Sequence, residues 1–239
     1  MTQTYLADHV SVAPRYQRSV RIDADFGQAD PLSGYVLQGS ARDALTTTLR
    51  LATNGQGAFT WTGPYGGGKS SLALALASYS LGRGPAFKEA KQLLCDVPEV
   101  TAVFGRAPKD WLCVPLSGRR GDPVADLREA LASAIAGEPG HARTKRSKME
   151  AADGRDIVER LQREVEARPK GGVLVIVDEL GKYLEGAADH AIDIHFFQDL
   201  AEAANRSEGR LIVVGVLHQA FERYADRLGQ SVQDEWRKI

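Results

Sequence analysis

Three stretches of the chain are apolar along nearly their whole length yet no longer than a strand. They are WLCVPLS (Trp111 to Ser117), VLVIV (Val173 to Val177) and LIVVGVL (Leu211 to Leu217). A shorter run, AFTWT (Ala58 to Thr62), precedes a glycine-rich segment. Between these runs, apolar residues recur at the 3.6-residue spacing of amphipathic helices. ARDALTTTLRLA reads as a helix with Leu45, Leu49 and Leu51 on one broad face. DPVADLREALASAIAG has Asp122 to cap, Pro123 at the first helical position, and Val124, Leu127, Leu131 and Ile135 on one stripe. A further helix buries Ile157, Leu161 and Val165, and HFFQDLAEAAN and QAFERYADRL complete the set. SSLALALASYSL alternates like a strand, but Ala and Leu are the strongest helix formers and it follows a glycine loop, so a helix is predicted.

Buried strands alternating with amphipathic helices predict an α/β fold, a mostly parallel sheet covered on both faces. Four core strands and no internal repeat are expected. Residues 1–34 lack a sustained period and are expected to form an arm with short strands, leaving 35–239 as the core. Residues 84–110 are mixed, with one helix at FKEAKQLL. Gly137 to Gly154 is polar and rich in Gly, Lys and Arg, which reads as a long surface loop.

Composition adds few constraints. The 239 residues carry a formal net charge of -1, so no overall field draws in nucleic acid or an anionic membrane. Cys95 and Cys113 fit no metal or redox spacing, and each reads as a small buried apolar residue. The N-terminus lacks the apolar core of a signal peptide, and no apolar run approaches a membrane span. A soluble, cytoplasmic protein without a membrane partner is expected.

The chemistry lies in three places. Gly63-Pro-Tyr-Gly66-Gly67-Gly68-Lys69-Ser70 fits G-x-x-x-x-G-K-[ST], a phosphate-binding loop, with Ser71 next in line. Glycines let successive backbone N–H groups turn toward an anion at the positive end of the following helix. Lys69 is expected to reach the β- and γ-phosphates, and Ser70 to bind Mg²⁺. The alternative is a flexible glycine turn, but the segment lies between a predicted strand and a predicted helix, as the motif requires.

VLVIV runs into Asp178 and Glu179. Carboxylates at the end of a buried strand are costly without a partner, and a hydrated magnesium ion is one. Asp178 is expected to hold the metal's water shell, and Glu179 to take the proton of a water attacking the γ-phosphate. Alone, the pair would read as a helix cap; with the loop upstream, the catalytic role is favoured, and with it hydrolysis over small-molecule phosphorylation. The third place is His218-Gln219, after LIVVGVL. If that strand lies beside the first, its tip points at the γ-phosphate, and a polar residue there can sense it; a helix cap is the equal alternative.

Three segments taken in order, WTGPYGGGKSSLALALA, VLVIVDELGKYLE and LIVVGVLHQAFERYADRLG, resemble the AAA+ branch of P-loop ATPases. More narrowly, they are similar to the N-terminal ATPase portion of large bacterial proteins from phage-defence clusters of the BREX type. The resemblance spans roughly residues 33–229 and implies a three-layer α/β/α sandwich, ATP and Mg²⁺ as ligands, and homo-oligomers or partner proteins, with DNA as a further candidate. It assigns Lys69 and Ser70 to the first motif, Asp178 and Glu179 to the second, and a polar sensor at His218 or Gln219. AAA+ proteins continue into a fifth strand and a helical lid, whereas this sequence stops at DEWRKI, so a fragment with an incomplete site is expected. An ATP-binding assembly module with little or no hydrolysis is the alternative. Arg223, Arg227 and Arg237 are candidates to act on a neighbouring subunit, although solvated helix arginines are the more ordinary reading. The run HARTKRSK, with Arg119 and Arg120, can touch DNA phosphates, but without interleaved aromatics a solvated loop is favoured. His190 and His195 beside Asp189 and Asp193 fit no ligand spacing and read as a solvated face.

Overall fold

The four apolar runs form one sheet: β1 (Ala58–Thr62), β2 (Trp111–Ser117), β3 (Gly172–Asp178) and β4 (Leu211–Leu217). All pairings are parallel, and the strand order is β1-β4-β3-β2. The computed structural model describes residues 20–105, 108, 110–137, 154–190, 195–219 and 224, with the side chains of 187–190 excluded. The predicted α/β class and the four parallel strands are present.

Each strand feeds two cores. On one face, Leu112, Val114, Leu116, Val173, Val175 and Val177 pack against α6 (Pro123–Ala136), α7 (Gly154–Glu166), α8 (Gly181–His190) and α9 (His195–Arg206). On the other, Cys113, Leu174, Ile176, Ile212, Val214 and Val216 meet α2 (Gly39–Thr53), α3 (Lys69–Leu81), α4 (Pro85–Leu93) and α5 (Pro98–Phe104). The period-2 direction of strand side chains divides the two sets, and coverage on both faces explains the continuous apolar reading of β2, β3 and β4. Burying each such side chain stabilises the fold by about 1.5–3 kcal/mol.

Several helices form as their sequences predict. Asp122 caps α6, its side chain accepting from the Val124 N–H at 2.9 Å, with Pro123 at the first position. Leu127 and Leu131 are buried in the core, with Val124 and Ile135 packed at its margin. Helix α7 buries Ile157, Leu161 and Val165. The Leu-Ala alternation of α3 has a different cause: nine consecutive residues, Leu72–Ser80, are buried, so the helix has almost no polar face to impose a 3.6-residue period.

Other expectations are corrected. The described part of the N-terminal segment forms a short helix, α1 (Ile22–Asp25), and turns rather than strands. Its Ile22 and Leu32 are buried in the same core as Leu45 and Leu49. Leu51 is exposed, because six residues beyond Leu45 it has rotated off the buried face of α2. Residues 84–110 hold two helices, α4 and α5, the second begun by Pro98. Helix α8, directly after β3, is absent from the sequence reading. Cys95 is exposed, whereas Cys113 is buried as expected, and burial pushes its thiol pKa up to about 12. The loop 138–153, the run 141–148, the segment 191–194, Arg223, Arg227, Arg237 and nearly all of the closing helix lie outside the described residues.

Candidate functional site

Parallel strands end on one side of the sheet, and open α/β sheets place ligands outside those carboxyl ends. Here β1 ends at Thr62, β4 at Leu217, β3 at Asp178 and β2 at Ser117. The chain passes from β1 at one edge to β2 at the other, then returns through β3 to β4 in the interior. This order sets β4 beside β1, as the sequence argument for His218 and Gln219 required, and puts the tip of β4 between the glycine loop and the acid pair.

The glycine loop leaves β1 and turns into α3. Gly66 and Gly68 adopt left-handed backbone, φ 76° and 75°, which a side chain would strain. Gly68 is also the N-cap of α3. The first turn of a helix has backbone N–H groups without intrahelical partners, so the loop ends at a concentration of positive potential. Lys69 folds back across it, its Nζ donating to the carbonyls of Gly63 and Pro64 at 2.8 Å each. Partial burial lowers the Lys69 pKa, and the nearby Asp178 carboxylate opposes the shift. An open cleft of about 890 Å³ adjoins the loop, lined by Gly66, Gly67, Gly68 and Ser71 on one side and by Asp25, Gln28 and Tyr35 on the other.

The acid pair stands two strands from β1, at the end of β3 beyond β4. Asp178 is buried, and its Oδ1 accepts from Ser70 Oγ at 3.0 Å and from the Glu179 N–H at 3.0 Å. The first contact joins residues 108 positions apart in sequence. Ser70 and Asp178 thus converge as oxygen donors only, the set a hard cation such as magnesium takes.

The backbone around Glu179 is pinned from both sides. The Gly118 N–H donates to the Asp178 carbonyl at 2.6 Å, and the Leu180 N–H to the Val216 carbonyl of β4 at 3.0 Å. Between these restraints Glu179 takes φ 55°, unusual for a residue with a side chain. Its carboxylate pairs with Lys182, the second residue of α8. A second cleft, about 960 Å³, opens beside Asp178 and Glu179 and reaches Arg119, Asp126 and Lys182.

Burial raises the Asp178 pKa, Glu179 adds to the rise, and the Ser70 and Glu179 N–H hydrogen bonds oppose it. A carboxyl whose pKa is higher folded than unfolded favours folding in its protonated form. Its contribution is present below the ordinary aspartate pKa of about 4 and is lost as pH climbs through the raised value. Asp178→Asn keeps an oxygen for both hydrogen bonds without the charge. In magnesium-free urea titrations this variant is expected to gain stability relative to the parent as pH rises from about 4, then hold a constant lead.

At the tip of β4, His218 stacks on Tyr65 of the glycine loop, and Gln219 follows it. Burial, then the charge of Lys69, lowers the His218 pKa, so the imidazole is neutral at pH 7. Tyr65, Lys182 and the Gly118 turn are the contributors the sequence reading missed. Only Lys182 left a signal there, three residues after Glu179 on a helix start, a spacing that brings side chains together. Arg119 pairs with Asp126, which also accepts from the Tyr183 hydroxyl at 2.6 Å, and Arg120 pairs with Glu185 at 3.1 Å. Both arginines are therefore engaged within the chain. No group of three or more His, Cys, Asp or Glu side chains placed to hold a metal occurs among the described residues, and none of their helices is long and apolar enough to cross a membrane. Compared with protein-family models and with curated proteins, the chain finds no match.

Proposed function

We propose that this chain is a P-loop ATPase module with an AAA+-like core that binds ATP with magnesium at Gly63–Ser70 and hydrolyses it. The observation that carries the reading is the Ser70–Asp178 hydrogen bond, which unites the loop and the acid pair at the carboxyl end of a parallel sheet. The loop N–H groups and Lys69 bind the phosphates. Ser70 and Asp178 hold magnesium, which when bound offsets phosphate charge. Glu179 takes a proton from water as its oxygen bonds to the terminal phosphorus and the bond to ADP breaks. The cleft beside the loop has the volume of a small-molecule site. The biological setting, a bacterial multi-component system of the phage-defence kind with partner proteins, rests on sequence resemblance alone.

The Glu179–Lys182 ion pair favours a second reading, a module that binds ATP and turns it over slowly, because it occupies the carboxylate meant to accept the proton. Calorimetric titration with magnesium-ATP tests the common part of both. Binding should weaken about 10- to 100-fold in Lys69→Ala, as loss of hydrogen bonds from a charged donor implies. Equal affinity in both proteins would overturn the phosphate site.

A further inference from the structure

Tyr65 is 79% exposed, yet one face of its ring lies on His218, with ring centroids 3.8 Å apart and planes 19° from parallel. The backbone of a phosphate-binding turn does its work through N–H groups, so an aromatic side chain in it has no part in cradling an anion. His218 is unusual in a different way. Both ring nitrogens are closed off from solvent, and neither has a hydrogen-bond partner among the described residues. Folded proteins leave few buried polar atoms in this condition, and those few call for an explanation. A neutral imidazole carries one N–H donor and one acceptor. Lys69, Glu179 and Lys182 are the charged groups near enough to act on it.

The strand order gives these facts a common position. His218 follows the end of β4, between β1 with the phosphate loop and β3 with Glu179. In a bound triphosphate, the terminal phosphate is the part that must lie between the loop and the carboxylate that serves water. We infer that Tyr65 is a positioning residue: by stacking on His218 it holds the imidazole beside the place of that terminal phosphate, and a bound triphosphate that displaces the groups now covering the ring edge takes its spare N–H, so the ring pair distinguishes ATP from ADP. This rests on the reading of Gly63–Ser70 as a phosphate site. It also selects His218 over Gln219 as the sensing side chain.

The test compares calorimetric affinities for ADP and for the β,γ-imido analogue of ATP, both with magnesium, across variants of the whole chain. In Tyr65→Ala the triphosphate analogue should bind about three- to tenfold more weakly, the range expected of an aromatic pair, while ADP stays within about twofold. Tyr65→Phe retains the stack and should restore the parent preference, which a role for the hydroxyl would not allow. His218→Phe retains the stack but not the nitrogens, and should lose the preference. Equal weakening of both nucleotides in Tyr65→Ala, no weakening of either, or an unchanged preference in His218→Phe overturns the inference. Lys69→Ala separates the two levels: if it removes binding while Tyr65→Ala is silent, the phosphate site stands and the ring pair alone is refuted. If the parent protein binds neither nucleotide, both fall.

Discussion

Glu179→Gln should bind magnesium-ATP as the parent does and turn it over about 10²- to 10⁴-fold more slowly, the contribution typical of a positioned general base. The amide keeps the shape of the side chain but cannot take a proton from water. Phosphate release measured at saturating ATP, beside calorimetric affinity, checks both halves. Turnover equal to the parent's would remove Glu179 from the mechanism. The same position makes a separate claim about stability. Left-handed backbone at a residue with a Cβ costs about 1–2 kcal/mol, and Glu179 has φ 55°. Comparing Ala with Gly there isolates this cost, since both lack the carboxylate and the Lys182 ion pair. Glu179→Gly should therefore be more stable than Glu179→Ala by about 1 kcal/mol in urea unfolding, a glycine's extra freedom when unfolded taking back part of the gain. Neither should hydrolyse ATP. Backbone strain at Glu179 is held there by its surroundings, the hydrogen bonds from Gly118 and Leu180.

The second large effect concerns folding. Gly82 ends α3 in left-handed backbone, φ 68°, and a Cβ built there would lie 1.4 Å from the carbonyl oxygen of Pro108. No side-chain rotation relieves a clash between Cβ and backbone, so the turn after α3 or the approach to β2 must move. Gly82→Ala is expected to cost about 2–5 kcal/mol, combining the left-handed penalty with forced displacement of packed backbone. That is a large share of the roughly 5–15 kcal/mol that separates folded from unfolded domains. Gly27 is the control, the third residue of a type II turn, with φ 81° and nothing within 4 Å of its would-be Cβ. Gly27→Ala should pay the conformational part alone, about 1–2 kcal/mol. Urea midpoints measure both, and equal shifts would show that the Pro108 contact carries no weight.

The elements legible in the sequence were those whose pattern had one cause. Strands β2, β3 and β4 are buried on both faces and read as apolar throughout, and α6 announces itself through Asp122 and Pro123. Helix α3 was harder, since uniform burial erased its period, and propensity with the preceding glycines had to decide. Leu51 was misplaced because a broad face was drawn one residue too wide. Helix α8 was missed because GKYLEG has a glycine near each end and no long stripe, its place being set by the turn after Glu179. At the site, local wording marked Gly63–Ser70 and the Asp178–Glu179 pair. The meeting of Ser70 with Asp178 was legible only through their assignment to one magnesium ion, and the stack of Tyr65 on His218 not at all, since both depend on strand order, which brings together residues far apart in sequence.

The burial of α3 on every side has a mechanical consequence. A helix with a free face can roll or slide when a ligand pulls on its end, but Leu72–Ser80 are locked among neighbours close-packed like a crystal. A pull at its amino end therefore falls on the backbone of Gly66, Gly67 and Gly68, which carry no side chains to pack. The helix, like the interior strand β4 beside it, is an anchor rather than a lever.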